Sequence, residues 1–89
     1  MFGIYMKPLG IDYNRYIYLG AFGNIKNVEE EFKKRLFAID QDDPYKLHIY
    51  QKYNTKYYEI IVKDFYTDEE EYSKIYDIEN DKFIDRVEY

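Results

Sequence analysis

Thr67-Asp68-Glu69-Glu70-Glu71-Tyr72-Ser73-Lys74-Ile75-Tyr76 is the stretch on which the fold turns. Thr67 followed three residues later by Glu70 has the form of a capping box, in which hydroxyl and carboxylate satisfy backbone N–H groups reciprocally. Tyr72, Ile75 and Tyr76 then share one face at helical spacing. Acids crowd the start, where a helix dipole favours them. The segment is therefore expected to be a helix that ends near Asn80-Asp81, with Phe83 to Tyr89 as a last strand.

Working back from this stretch, Tyr57–Phe65 alternates as a strand, with Tyr58, Ile60 and Val62 on an apolar face. A hairpin around Asn54-Thr55 would pair it with Tyr45–Tyr53, setting Leu47 opposite Val62 and Ile49 opposite Ile60. The other face would carry Lys46, His48, Tyr50, Lys52, Tyr57, Glu59, Ile61 and Lys63. Further upstream, Val28, Phe32, Leu36 and Ile39 recur at helical spacing over residues 28–39, with Asn27 as N-cap and Glu30 completing a capping box. Glu29 with Lys33, Glu30 with Lys34 and Glu31 with Arg35 are three i,i+4 pairs in the favourable orientation. Tyr16 to Phe22 reads as a strand with Ile17, Leu19 and Ala21 on one face and Tyr16, Tyr18 and Phe22 on the other. The expected fold class is α+β: an antiparallel sheet with two helices on one face, in the ferredoxin-like order βαββαβ, with Phe2–Met6 as a candidate extra strand.

Eighty-nine residues make one compact domain, 1–89. Thirteen tyrosines against six phenylalanines and no tryptophan imply a shallow core with tyrosine hydroxyls at its rim and several rings left on the surface. With no cysteine, disulfides and thiolate metal sites are excluded. No apolar run exceeds four residues, as in Leu36-Phe37-Ala38-Ile39, which is far too short to span a membrane, and the first residues lack the pattern of a signal peptide, so a cytoplasmic location is expected. The net charge of −5 is unevenly placed: residues 64–89 hold ten Asp/Glu and three Lys/Arg, whereas residues 1–63 hold eight and ten.

Catalysis has little to build on. The single histidine, His48, lies mid-strand, the only serine is Ser73, and glycines 3, 10, 20 and 23 match no phosphate-cradling loop. Asp77 to Glu88 spaces acids like a calcium loop, but Lys82 stands where such a loop needs a glycine. No enzyme activity, no cofactor and no metal are expected.

Ile17-Tyr18-Leu19-Gly20-Ala21-Phe22 resembles the first-strand motif of the RNA-recognition-motif family, and Thr55 or Lys56 begins a third-strand motif at a matching distance. The resemblance runs over residues 16–89 and is mainly one of element order. It implies base stacking on the sheet, and it departs from the family where Glu59 takes the second stacking position. Gly3-Ile4-Tyr5 with Tyr18-Leu19-Gly20 also resembles the paired motifs of the GIY-YIG nucleases. That family needs an arginine sooner after the second motif than Arg35, and a metal-binding glutamate on a later helix.

Two binding surfaces follow. The first is an acidic face of Asp68, Glu69, Glu70, Glu71, Asp77, Glu79, Asp81 and Asp85, suited to a protein partner such as a basic nucleic-acid-binding enzyme. A small inhibitor of the kind made by phages and other mobile elements would have this character. The second is a sheet face of Tyr18, Tyr50 and Tyr57 with Lys46, Lys52 and Lys63, suited to RNA or single-stranded DNA.

Overall fold

The computed structural model describes residues 1–10, 14–37 and 56–86. Strand β1 is Phe2–Pro8 and strand β2 is Ile17–Phe22; a 3₁₀ turn, Ile25–Asn27, leads into helix α1, Val28–Phe37. Strands β3 (Tyr57–Asp64), β4 (Glu70–Asp77) and β5 (Lys82–Ile84) follow. They form one antiparallel sheet in the order β2-β1-β3-β4-β5. Since β2 and β3 both run antiparallel to β1, they are parallel to each other, and β2, α1 and β3 make a split βαβ unit around β1. The fold is α+β, with one helix among the described residues rather than two.

The missing helix is the opening stretch. Residues 70–77 form β4, paired along β3 from Tyr57↔Asp77 to Lys63↔Glu70. Thr67 does accept a backbone N–H, but from Glu69, two residues on, at 3.2 Å. This closes a hairpin loop instead of starting a helix. Asp64 accepts from Tyr66 N at 2.7 Å, and Asp68 takes the left-handed conformation at φ 57° that completes the turn. Both edges of β3 are taken by β1 and β4, so the expected hairpin with residues 45–53 has no edge left; that segment lies outside the described residues.

The core lies between one sheet face and α1. Val28, Phe32 and Leu36 meet Ile4, Met6, Ile17, Leu19, Phe22, Tyr58, Ile60, Val62 and Tyr76. Ile39 lies outside the described residues. Phe22 was expected on the opposite face. A register shift between Ile4 and Tyr5 inserts one extra residue on β2, and Phe22 turns inward to stand opposite Phe2 with ring centroids 5.7 Å apart. The α-helix begins at Val28 as expected, and a 3₁₀ turn that the sequence did not mark precedes it, capped by Asn24, which accepts from Lys26 N. Of the three intrahelical pairs, Glu31–Arg35 forms. Glu29 instead accepts from the Tyr72 hydroxyl at 3.1 Å, and Lys33 reaches Asp81 at 3.0 Å, so these two residues tie α1 to the far side of the sheet.

These ties set an acid response. The Lys33 ammonium, with the Tyr76 hydroxyl, holds the Asp81 carboxyl below the ordinary carboxylate range. Asp77 is held down by the Asn80 side-chain amide, and Glu31 by Arg35. Groups that bind protons more weakly when folded stabilise the fold above the ordinary carboxylate value of about 4, and that stability is lost as pH falls through their lower folded values. The urea midpoint is therefore expected to stay level from neutral pH to about 5 and to drop below about 4. Asp81→Asn should shallow that drop. A midpoint insensitive to pH below 4 would show that these pairs do not hold the fold.

Candidate functional site

The pleat that sends Ile4, Met6, Tyr58, Ile60 and Val62 into the core sends Tyr5, Lys7, Glu59, Ile61 and Lys63 to the other face. Antiparallel pairing then builds rows across the strands. Tyr5 stands opposite Tyr18 on β2 and Ile61 on β3, and Ile61 stands opposite Ser73 on β4. The Tyr5 and Tyr18 rings lie 5.4 Å apart at 50°. Gly3 extends the aromatic row: a Cβ there would stand 2.8 Å from the Phe65 ring and 3.3 Å from Tyr18, so the missing side chain lets both rings lie against the β1 backbone. Tyr16, Tyr18 and Phe65 are each nearly half exposed. Such a surface is chemically amphipathic, with flat apolar faces and polar tips.

Cations border the row. Lys63 Nζ is 6.0 Å from the Tyr5 ring centroid, and Lys7 Nζ is 5.2 Å from that of Tyr16, both within cation–π range. Glu59, only 5% exposed, faces the same side, and its charge is answered locally. The Tyr16 hydroxyl donates to it at 2.5 Å, Lys7 lies 3.7 Å away and Arg86 3.6 Å away. Burial, then the hydrogen bond to Glu59 and its charge, push the Tyr16 hydroxyl up to about 12. Glu59 thus fixes the Tyr16 ring instead of presenting a free negative charge. A pocket of about 350 Å³ opens on this face, lined by Tyr5, Tyr16, Ile61, Lys63 and Glu70.

The acidic residues do not make one face. Asp68, Glu69, Glu70 and Glu71 lie at the β3–β4 end of β4, and Asp77, Glu79 and Asp81 at its other end. At about 3.3 Å per residue, the length of β4 separates the groups by roughly 25 Å. The second group is also spent on structure. Asp77 accepts from the Glu79 and Asn80 backbone N–H groups and the Asn80 amide, Glu79 pairs with Lys56, and Asp81 with Lys33 and Tyr76. Glu70 leaves the acidic set altogether, opposite Lys63 on the tyrosine face. Asp68, Glu69, Glu71 and Asp85 remain as exposed carboxylates.

Of the sheet-face candidates, Tyr18 and Lys63 are brought together by the register, and Tyr57 is half-buried at the end of β3. Tyr50, Lys46 and Lys52 lie outside the described residues. Tyr5, Tyr16 and Phe65 complete the surface, and the sequence reading did not include them. The one signal for Tyr5 was the pairing of Gly3-Ile4-Tyr5 with Tyr18-Leu19-Gly20, which the β1–β2 register makes literal. Arg35, the candidate arginine of that resemblance, turns to the helix side instead, donating to the Ala21 carbonyl at 2.6 Å and to Glu31. A strand, β4, stands where a later helix was needed, and no group of three or more potential metal-ligating side chains occurs among the described residues. No helix among them is long and apolar enough to cross a membrane.

No protein family, characterised protein or solved structure matches this chain.

Proposed function

We propose that this protein is a small binding module that takes single-stranded nucleic acid on the face of its sheet opposite α1. The observation that carries this reading is the row Phe65–Tyr18–Tyr5, flanked by Tyr16 and bordered by Lys63 and Lys7. Unpaired bases stack on such rings at about 1–3 kcal/mol each, and lysines beside the row meet the phosphates. Net negative charge opposes nonspecific binding, yet the acids of the helix and of the Asp77–Asp81 end of β4 lie away from the row, and only the β3–β4 end brings carboxylates near it, Glu70 among them opposite Lys63. With Glu59 held by Lys7, Arg86 and the Tyr16 hydroxyl, the face is not closed to a phosphate backbone. In this reading the module acts as the sheet of an RNA-recognition domain does, with one helix among the described residues where that family has two, and works in the cytoplasm.

A second reading keeps the acidic surface, contracted to the β3–β4 loop. Tyr66 is 91% exposed there beside Asp68 and Glu69, an aromatic tip among acids that suits a basic protein partner, including one whose nucleic-acid channel it would block.

Fluorescence anisotropy with a labelled single-stranded oligonucleotide separates the two. Tyr18→Ala and Tyr5→Ala should each weaken binding about 5- to 150-fold, the equivalent of one lost stack, with the urea midpoint little changed. Reversing Glu69 and Glu71 to lysine should leave binding intact or strengthen it. Binding that is absent in the unaltered protein, or indifferent to both tyrosine changes, would overturn the nucleic-acid reading and favour the loop.

A further inference from the structure

We infer that the pocket beside the aromatic row selects guanine, an inference that rests on the nucleic-acid reading and gives it a base preference. Its volume, about 350 Å³, is at the small end of the range of about 300–1,000 Å³ typical of ligand pockets, fit for one nucleotide-sized group. Its walls are two tyrosine rings and the side chain of Ile61, which is 7% exposed. Tyr16 is pinned by its hydrogen bond to Glu59, so one wall is set before any ligand arrives, which lowers the ordering cost of binding.

The polar groups decide which base fits. Lys63 and Glu70 are cross-strand partners at the register shift between β3 and β4, and both line the pocket, so an ammonium and a carboxylate border it from neighbouring strands. An ionised carboxylate offers acceptors only, and an ammonium donors only. The complementary ligand edge therefore carries two adjacent donors next to an acceptor. Guanine has this edge: N1–H and N2–H for Glu70, and O6 for Lys63. Adenine and cytosine each offer one exocyclic amine beside an acceptor nitrogen, and uracil has a single N–H between two carbonyls. Each of these leaves one Glu70 oxygen without a donor, or sets a carbonyl against it. A carboxylate so placed rejects these bases more than it attracts guanine, because an unmatched acceptor loses its water.

The test uses labelled oligouridylates that differ only at one central position, carrying guanosine, adenosine, cytidine, uridine or inosine. The guanosine oligomer should bind about tenfold more tightly than the others, with inosine, which lacks the N2 amine, losing most of that advantage. Glu70→Gln should erase the preference while binding of the uridine oligomer persists, and Lys63→Ala should weaken all five. Equal affinity for every central base, with Tyr18-dependent binding retained, would overturn the guanine assignment and leave the sheet-face reading standing. A guanine preference that survives Glu70→Gln would overturn the assigned role of the carboxylate. No binding of any oligomer would remove both readings together.

Discussion

Replacing Phe32 by alanine is expected to cost about 3–5 kcal/mol of folding stability, the usual cost of removing a fully buried phenylalanine ring. Phe32 has no solvent exposure and sits at the centre of α1's buried stripe. Its ring meets Tyr76 edge-on at 5.3 Å and Phe83 at 6.0 Å, and those two rings are themselves 4.8 Å apart. One side chain therefore joins the helix to β4 and β5 together. A chain of this length has about 4–13 kcal/mol of stability in all, so the substitution should remove a large part of it. Urea unfolding followed by far-UV circular dichroism should show a collapsed or much lower midpoint. Phe32→Leu, which keeps most of the apolar burial, should lose less. A midpoint within about 1 kcal/mol of the unaltered protein would mean that the ring lies outside the core and the helix is docked some other way. Binding separates this variant from Tyr18→Ala: the first loses affinity because the sheet unfolds, the second with the sheet intact.

Phe32 also shows what the sequence made legible. Its stripe with Val28 and Leu36 is visible in the chain because acids, bases and apolar residues agree on one period. The two faces of β3 were equally plain, since Tyr58, Ile60 and Val62 alternate with Tyr57, Glu59, Ile61 and Lys63. Residues 67–77 were not. Thr67, four acids and the spacing of Tyr72, Ile75 and Tyr76 satisfy a helix locally, and Tyr72, Lys74 and Tyr76 satisfy a strand no worse. The choice was made by tertiary pairing: β3 offered an open edge, and a strand there buries Tyr76 against Phe32 while Ile75 packs on the opposite face. Propensity gives way when an edge and a ring pocket are both satisfied by one alternative.

The same change of period reassigned the site. On a helix, Glu69, Glu70 and Glu71 would have spread around one turn and joined the later acids on a common surface. On a strand and its loop they part, and Glu70 comes to rest opposite Lys63. A residue read as one of many repelling charges thereby becomes one half of a donor–acceptor pair beside the tyrosines. Tyr5 and Tyr16 do not stand out as binding residues in the sequence for a related reason: their value lies in cross-strand neighbours, and the β1–β2 register is not written in either strand alone. The register shift at Ile4/Tyr5 fixes it. Without that extra residue, Tyr18 would not stand opposite Tyr5 and Phe22 would not turn inward.

Gly20→Ala should therefore be the second large loss, about 2–4 kcal/mol, although it adds a single methyl group. Gly20 lies at this irregularity with φ +132°, a conformation that costs an L-residue of order 1–3 kcal/mol. Its new Cβ would also stand 2.9 Å from Arg35 Nε, crowding the guanidinium that donates to the Ala21 carbonyl and ties α1 to β2. Losing that hydrogen bond adds about 1 kcal/mol. The two contributions separate in an Arg35→Ala background, where crowding disappears and backbone strain stays. If strain dominates, Gly20→Ala costs nearly as much there as in the unaltered chain. Gly23→Ala is the control: its Cβ would meet nothing within 4 Å, and its φ is not in the left-handed region, so its midpoint should barely move. Because the shift at Ile4/Tyr5 also sets Tyr18 against Tyr5, Gly20→Ala should weaken oligonucleotide binding by more than its loss of folded protein explains. Binding that tracks the folded fraction alone would show that the bulge holds the fold without shaping the face.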